Sequence, residues 1–356
     1  MKALIAMSGG VDSSVAACLM QERGFDCIGA TMKLFQNEDV GVPREHTCCS
    51  LEDVEDAKDV AYKLRMPHFV FNFSDNFKER VIEPFIYAYE NGLTPNPCID
   101  CNRYLKFEKL LRRAKELEID YVVTGHYARI VYDEKTKKYQ LKKALDSAKD
   151  QSYVLYSMTQ EQLRHTLFPL GEQTKPEVRK IAEAHGFRNA QKHDSQDICF
   201  VPDGDHAAFI ERYTGQKCQE GTFVDSCGKL LGTHKGIIRY TVGQHKKLGY
   251  SFPKPMYVCR ICPEDRTIVL GGQEELYSNE AVVGDFNWIS GEAPKSELRC
   301  KAKVRYRQEE QWAAAFPLED GTVRLVFDEP QRAVTPGQAA VLYDGDTVLG
   351  GGTILR

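Results

Sequence analysis

The 356-residue sequence contains no apolar run approaching the roughly 18 residues of a membrane-spanning helix, so we expect no membrane contact. Its first apolar strand begins almost at once, which leaves no room for a signal or transit peptide and predicts a cytoplasmic protein. Internal repeats, low-complexity tracts and coiled-coil heptads are absent, so nothing indicates a repeat or fibrous architecture. Because the net charge is −4, the protein as a whole does not attract polyanions, and any nucleic-acid binding must come from local basic patches.

The most informative segment is Ser8–Ser14, which reads SGGVDSS. The apolar run Ala3–Met7 precedes it and predicts a buried strand, and Val15–Met20 follows as a helical segment that stops at Gly24. Strand, glycine turn and helix start together predict an anion site, because the first N–H groups of a helix lack partners within the helix.

The residues of this segment point to a nucleotide. Gly9 and Gly10 let the backbone approach phosphate oxygens, and the three serines can add hydroxyl donors. Asp12 would need Mg²⁺ between its carboxylate and a phosphate, which suggests a metal–nucleotide complex. The lysine of a Walker A loop and the spacing of a dinucleotide fingerprint are missing. The loop resembles that of the PP-loop ATP pyrophosphatases, which cut ATP between the α and β phosphates; the alternative is an ordinary glycine turn.

Up to about residue 130, strand and helix patterns alternate. The further strands expected are Cys27–Leu34, His68–Phe73 and Tyr121–Thr124, and the helices are Asp53–Leu64, Phe77–Glu90 and Phe107–Leu117. This order predicts an α/β fold with a doubly wound parallel sheet that binds ligands at the carboxyl ends of its strands. Two long loops, Gln36–Ser50 and Asn91–Arg103, are expected to be functional.

After about Pro202 glycines multiply and short alternating segments replace helices. The alternating segments are Lys301–Arg307, Val323–Phe327, Ala339–Leu342 and Val348–Leu355. We therefore predict a catalytic domain at 1–203, a small central domain at 204–275 and a C-terminal β-barrel at 276–356. Four basic residues, at 301, 303, 305 and 307, would share one strand face, which suits a phosphate track or a simple solvated surface.

The twelve cysteines indicate metal binding, redox chemistry or packing in a protein of this size and compartment. Cys98 and Cys101 form a C-x-x-C in a predicted loop, and the nearby cations Arg103 and Lys106 favour reactive thiolates. Cys199 is a third candidate. The alternatives are a structural zinc site, for which no fourth ligand completes the set cleanly, and inert packing.

The remaining cysteines carry weaker signals. A second C-x-x-C, Cys259 and Cys262, lies in an alternating segment and is interpreted as incidental. The adjacent pair Cys48-Cys49 cannot comfortably chelate one metal, so packing is the default interpretation.

From end to end, the chain resembles the tRNA-specific 2-thiouridylase family. The matching segments, in chain order, are SGGVDSS at 8–14, CCS at 48–50, LTPNP at 93–97, TGHYA at 124–128, KDQSY at 149–153, DICF at 197–200, YTVGQ at 240–244, RYRQ at 305–308 and TPGQ at 335–338. Many separate matches in one order make the resemblance specific.

The resemblance implies a set of site residues. It implies contacts to ATP from Ala6, Met7, Ser8, Gly9, Gly10, Val11, Asp12, Ser13, Met32 and Gly125. It implies contacts to the target base from Asn96, Pro97 and Cys98. It implies contacts to tRNA from His126, Lys149, Asp150, Gln151, Arg305, Tyr306 and Gln338. It also implies that the central domain and the C-terminal domain both contact tRNA. Asp12 and the thiols of Cys101 and Cys199 are the implied catalytic groups, with Cys101 the nucleophile and Cys199 the carrier of persulfide sulfur.

The implied reaction is ATP-dependent 2-thiolation of the wobble uridine. AMP is transferred to the base oxygen, pyrophosphate leaves, and sulfur on Cys199 attacks carbon 2; Cys101 then resolves the persulfide as a disulfide. The implied partners are the tRNAs for Lys, Glu and Gln and a cysteine desulfurase or sulfur-relay protein, with ATP and Mg²⁺ as cofactors and a monomeric enzyme.

Two departures from the family pattern leave alternatives open. Cys98 stands where many relatives have Asp, so Cys98, Cys101 and Cys199 could instead hold a [4Fe–4S] cluster with one open iron. His245 stands where the family usually has Arg, with Lys247 in place of Gly, and the effect is undetermined. Other functions to distinguish are a ligase or amidotransferase of the same superfamily and a non-catalytic RNA-binding protein.

Overall fold

The computed structural model describes residues 1–35, 51–192 and 198–356. The whole of the expected loop Gln36–Ser50, with Cys48-Cys49, and residues 193–197 before Cys199 therefore lie outside the described residues. No helix in the described ranges is long and apolar enough to cross a bilayer.

Strands and helices are labelled here in chain order. The strands are β1 (Lys2–Ala6), β2 (Asp26–Lys33), β3 (His68–Asn72), β4 (Tyr121–Val123), β5 (Ala128–Asp133), β6 (Lys138–Lys143), β7 (Thr166–Leu167), β8 (Gly221–Val224), β9 (Leu230–His234), β10 (Tyr257–Cys262), β11 (Thr267–Gly271), β12 (Tyr277–Trp288), β13 (Leu298–Lys303), β14 (Gln311–Pro317), β15 (Val323–Arg332), β16 (Ala339–Asp344) and β17 (Thr347–Ile354). The α-helices are α1 (Val11–Glu22), α2 (Leu51–Lys63), α3 (Ser74–Phe77), α4 (Glu83–Glu90), α5 (Pro97–Asp100), α6 (Leu111–Glu116), α7 (Gln160–Arg164), α8 (Lys175–Ala184) and α9 (His206–Thr214). Wider π-type turns, Lys78–Ile82 and Cys101–Leu110, join α3 to α4 and α5 to α6.

The N-terminal sheet is parallel, with strand order β3-β2-β1-β4-β7. Its core strands are apolar on both faces, because helices cover both sides. Leu4 belongs to one buried cluster, whereas its neighbours Ala3 and Ile5 belong to the other. The doubly wound sheet is thus confirmed. The chain leaves β1 in one direction and β4 in the other, so the crevice between their carboxyl ends is the expected ligand site.

The expected loop Asn91–Arg103 is wrong beyond its first half, because a helical stretch begins at Pro97 and continues to the end of α6. Asn96 is its N-cap: its side-chain oxygen accepts a hydrogen bond from the N–H of Cys98 at 3.2 Å. Pro97 occupies the first helical position, where its missing N–H costs nothing. The Asn-Pro pair was therefore an available signal, and it places both cysteines of the C-x-x-C in the first turns of a helix.

The C-terminal part is a barrel of six strands in the order β12-β15-β14-β13-β16-β17, closed by antiparallel pairing of β12 with β17. Between it and the N-terminal sheet in sequence lies a four-stranded sheet, β10-β11-β8-β9. Sequence reasoning missed the hairpin β5–β6, which is inserted after β4 and pairs with β17. The hairpin thus joins the N-terminal part of the chain to the barrel sheet. The domain boundaries 1–203, 204–275 and 276–356 stay a prediction.

The expectation that the basic residues of Lys301–Arg307 share one strand face is wrong, because β13 ends at Lys303 and the chain then turns. Alternation therefore stops before Arg305. Its guanidinium donates to the carbonyl oxygen of Val242 at 2.9 Å and to Thr335 Oγ1 at 2.7 Å. Arg305 thus ties the central sheet to the barrel.

Candidate functional site

A cavity of about 1110 Å³ lies at the carboxyl ends of β1 and β4. Its walls are the loop after β1, the helix that begins at Pro97, the segment 147–151, Ile198–Phe200 and the turn after β13. The cavity therefore joins the phosphate loop predicted from sequence to all three candidate thiols.

Most of the predicted site residues line this cavity. They are Ala6, Met7, Ser8, Gly10, Val11, Asp12, Ser13, Met32, Pro97, Cys98, Cys101, Gly125, His126, Lys149, Asp150, Gln151, Cys199 and Tyr306. The remaining ones, outside the lining, are Gly9, Asn96, Arg305 and Gln338.

The glycine loop is shaped by packing as well as by its cavity. Gly9 has a φ of +76°, and a Cβ there would lie 2.4 Å from the carbonyl oxygen of Asp53. Ser13 and Ser14 were expected to offer hydroxyls to phosphate, but both hydroxyls donate to the carbonyl oxygen of Gly10, at 2.9 and 3.1 Å. No side chain caps α1, so its first N–H groups are the anion donors that the loop provides.

An ion pair that the sequence did not reveal holds Asp12. Lys175 Nζ, at the start of α8, lies 2.7 and 2.8 Å from the two carboxylate oxygens. The Tyr127 hydroxyl donates to the same carboxylate at 2.8 Å. Gly125 packs so closely that a Cβ would lie 2.8 Å from the carbonyl carbon of Asp12. Lys175 is only 8% exposed, so this loop without a Walker lysine still has a buried lysine beside it.

The three thiols differ in burial. Cys98 is exposed, whereas Cys101 and Cys199 are half-buried and pack against the apolar cluster on one face of the N-terminal sheet. Cys98 is the second residue of the helix that begins at Pro97. Of the two cations expected beside the thiols, Lys106 lines the cavity, whereas Arg103 forms an ion pair with Asp285 of β12.

Asp100 lies between the two cysteines of the C-x-x-C. Burial raises the pKa of its carboxyl to about 6, with Arg103 opposing the rise and Asp285 adding to it. This group therefore changes charge close to neutral pH.

Five of the residues with implied tRNA roles line the cavity, and we call this part of the lining the wall: His126, Lys149, Asp150, Gln151 and Tyr306. His126 is buried, 2.7 Å from Thr124 Oγ1, and burial, reinforced by Lys106, holds its pKa well below the usual range, so it is neutral at pH 7. The Asp150 carboxylate accepts from the Ala144 N–H at 3.0 Å, and its carbonyl oxygen accepts from the Tyr306 hydroxyl at 3.2 Å. These hydrogen bonds fix the shape of the wall.

Gln338 connects the barrel to the loop before the C-x-x-C. Its amide donates to the carbonyl oxygen of Thr94 at 2.8 Å, and the Thr94 N–H donates to the carbonyl oxygen of Pro336 at 2.9 Å. Two sequence motifs far apart in the chain thus dock on each other, and the barrel positions the segment that leads into the helix of Cys98.

Three family models match the chain consecutively. A model described as a tRNA methyl transferase HUP domain matches residues 1–203, a tRNA methyl transferase PRC-barrel domain matches 207–272, and an aminomethyltransferase beta-barrel domain matches 278–354. Together they reproduce the order of a nucleotide-binding α/β part, a small central sheet and a barrel.

Curated relatives match over the whole chain. A tRNA-specific 2-thiouridylase of Acetivibrio thermocellus is 52% identical over 354 residues, covering 99% of both chains. One of Clostridioides difficile is 50% identical over 353 residues, covering 99% of this chain and 98% of its own. A solved 4-thiouridine synthetase in complex with RNA and ATP is 21% identical, with a TM-score of 0.39 over 60% of this chain and 50% of its own, a similarity too weak to support a conclusion.

Proposed function

The chain belongs to the tRNA-specific 2-thiouridylase family, and we propose that it thiolates carbon 2 of the wobble uridine of tRNA at the expense of ATP. The observation that carries this proposal is the single cavity lined by both the phosphate loop and Cys98, Cys101 and Cys199. Methyl transfer, which the descriptions of the family models mention, does not need a phosphate loop beside three thiols. Sulfur transfer with ATP uses both.

We propose that the ATP phosphates bind at the N-terminus of α1, with the adenosine side near Met32 and Gly125. The carbon-2 oxygen of uracil is a poor leaving group, so it attacks the α phosphate and pyrophosphate departs. Lys175 and the α1 N–H groups stabilise the departing negative charge. Mg²⁺ would be held with the phosphates by Asp12, whose carboxylate lies at the loop, and would supply further charge neutralisation.

Sulfur transfer then follows in two steps. The terminal sulfur of a Cys199 persulfide attacks carbon 2, and AMP leaves with the original oxygen. The Cys101 thiolate attacks Cys199 Sγ, which breaks the persulfide bond, leaves sulfur on the base and forms a Cys101–Cys199 disulfide. The half-burial of both thiols on one cavity supports this assignment.

A second route rests on Cys98. Three cysteines lining one cavity are a donor set that fits a [4Fe–4S] cluster held by Cys98, Cys101 and Cys199. Such a cluster would supply an open iron that binds sulfide. On the first route, Cys98 instead lines the pocket for the base together with Asn96 and Pro97.

The partner proposals follow from the same wall. We propose that Lys149, Gln151 and Tyr306 contact tRNA directly and that Lys303 and Arg307, which also line the cavity, neutralise phosphates. Arg305 and Gln338 bind backbone oxygens within the protein, so their proposed contribution is to position this surface. The proposed substrates are the tRNAs for Lys, Glu and Gln, with a cysteine desulfurase or relay protein as sulfur donor and a monomeric enzyme.

The experiment is to measure pyrophosphate release and 2-thiouridine formation with and without tRNA. We expect release to require tRNA, and Asp12→Ala to abolish it while tRNA binding is nearly retained. Release with a different acceptor and without tRNA would indicate a ligase or amidotransferase instead. Binding of tRNA without any ATP cleavage would indicate a non-catalytic RNA-binding protein.

Cys98→Ser separates the two sulfur routes, with Cys227→Ser as a control at an exposed cysteine outside the cavity. On the persulfide route, which we favour, the variant keeps substantial activity and forms the Cys101–Cys199 disulfide after turnover. On the cluster route, bound iron, colour and activity vanish together after anaerobic purification. Cys101→Ser and Cys199→Ser should stop thiolation on both routes.

A further inference from the structure

Three potential metal ligands converge on the back of the phosphate loop helix, away from the cavity. Cys18 and Glu22 lie one turn apart on α1, and His185 follows the last residue of α8. Within the described ranges, their ligand atoms all lie within 4.8 Å of one another. Neither the resemblance nor the proposed reaction uses any of these residues.

The distances within this trio, which we call the Cys18 cluster, come close to those of one coordination geometry, apart from the orientation of the His185 ring. Cys18 Sγ lies 3.2 Å from His185 Nε2, 3.7 Å from His185 Nδ1 and 3.6 Å from Glu22 Oε1, and His185 Nε2 is 3.6 Å from Glu22 Oε1. A tetrahedral Zn²⁺ with a Zn–S bond of about 2.3 Å and Zn–N and Zn–O bonds of about 2.05 Å would separate S from N or O by about 3.6 Å and N from O by about 3.3 Å. The three groups are therefore within reach of one Zn²⁺, but Sγ lies beside both ring nitrogens, so the partly exposed imidazole must rotate to direct a nitrogen lone pair at the metal.

Donor chemistry and exposure agree with that cation. Thiolate, imidazole and carboxylate together are a donor set suited to Zn²⁺, whereas Mg²⁺ and Ca²⁺ favour oxygen ligands alone. The Cys18 residue is buried, but the side chains of His185 and Glu22 are 39% and 57% exposed, so a water can complete the fourth position. Burial and Glu22 raise the pKa of the thiol to about 12, so it stays protonated until a bound metal displaces the proton.

We propose that Cys18, Glu22 and His185 bind Zn²⁺, with water as the fourth ligand. The site would tie the C-terminal half of α1 to the end of α8. The N-terminal ends of the same two helices are joined by the Asp12–Lys175 ion pair. A metal here would therefore brace the helix pair that presents the phosphate loop.

The test is a Zn²⁺ titration of the reduced full-length protein against a chromophoric chelator. The variants are His185→Ala and Glu22→Gln, at partly exposed side chains, and Cys18→Ala. The control is His165→Ala, whose imidazole contacts the carbonyl oxygen of Asp120 far from the cluster in sequence. The wild type and the control should bind one more tight Zn²⁺ equivalent than His185→Ala, Glu22→Gln and Cys18→Ala. Zn²⁺ should also raise the unfolding temperature of the wild type and the control by more than that of the three variants.

Co²⁺ binding provides a second readout, because a difference spectrum between two proteins cancels the signal of cobalt bound to the cysteines that both contain. The difference spectrum between wild type and Glu22→Gln should contain the bands of one tetrahedral cobalt with a sulfur charge-transfer band, and Cys18→Ala should lose the same bands. Equal stoichiometry, equal thermal shift and superimposable cobalt spectra in the wild type and the three cluster variants would overturn the proposal. Because this site is outside the cavity, the result does not depend on the proposed thiolation.

Discussion

Replacing Lys175 by Met removes the counterion of Asp12 while keeping the length of the side chain. Lys175 Nζ is 2.7 Å from the nearer carboxylate oxygen, with side-chain exposures of 10% for Lys175 and 31% for Asp12. Removing one partner of a buried ion pair costs about 3–5 kcal/mol. Asp12 would keep the Tyr127 hydroxyl and the N-terminal end of α1, and is partly solvated, so we expect the free energy of unfolding to fall by about 2–3 kcal/mol.

A double-mutant cycle separates the structural effect from the chemical one. Asp12→Asn, Lys175→Met and the double variant are unfolded in urea, and each is assayed for tRNA-dependent AMP formation. The double variant should unfold within about 1 kcal/mol of the wild type, because it buries no unpaired charge. All three variants should nevertheless lose AMP formation. Lys180→Met, at an exposed position on the same helix, should change stability by less than about 0.5 kcal/mol and keep activity.

Two results would refute this reasoning. Additive losses of stability in the double variant would mean that the two charges do not interact. A Lys175→Met enzyme with normal AMP formation would remove the lysine from the phosphate site.

Three further predictions follow. Because burial raises the folded pKa of Asp100 to about 6, the stability that this carboxyl contributes is present below about pH 4 and is lost as pH rises through 6. In urea unfolding, the free energy of unfolding of Asp100→Asn should match that of the wild type at pH 4 and exceed it by up to about 3 kcal/mol at pH 7. Parallel pH profiles of the two proteins would contradict this. Arg307→Ala should weaken tRNA binding and reduce the slope of log K against log salt by about 1, whereas Arg299→Ala, outside the cavity lining, should leave the slope unchanged; equal slopes in both variants would remove Arg307 from the phosphate contacts. Lys247 has a φ of +60°, so Lys247→Gly should raise the free energy of unfolding by about 1 kcal/mol, and a loss of stability would show that its side chain makes a compensating contact.

The loop after β1 shows how far local pattern reaches. An apolar strand, two glycines and a helix start are contiguous in sequence, so the turn and helix start at Ser8–Ser14 were predictable, and the anion site there stays a prediction. The parallel sheet followed from alternation of strands and helices, and the barrel from short alternating segments. The Asn96-Pro97 cap was equally local, although the segment was interpreted as a loop.

The sequence by itself therefore determined most strands and helices of the parallel sheet and the turn before α1, because each depends on neighbours within a few residues. Only the tertiary structure decided which residues far apart in the chain come into contact. Lys175 reaches Asp12 across 163 positions, Arg305 binds the Val242 carbonyl oxygen across 63, and Gln338 binds that of Thr94 across 244. The β5–β6 hairpin likewise extends a barrel formed some 200 residues later. Such contacts depend on how helices and sheets pack in space, and side-chain periodicity carries no information about a partner that distant in the chain.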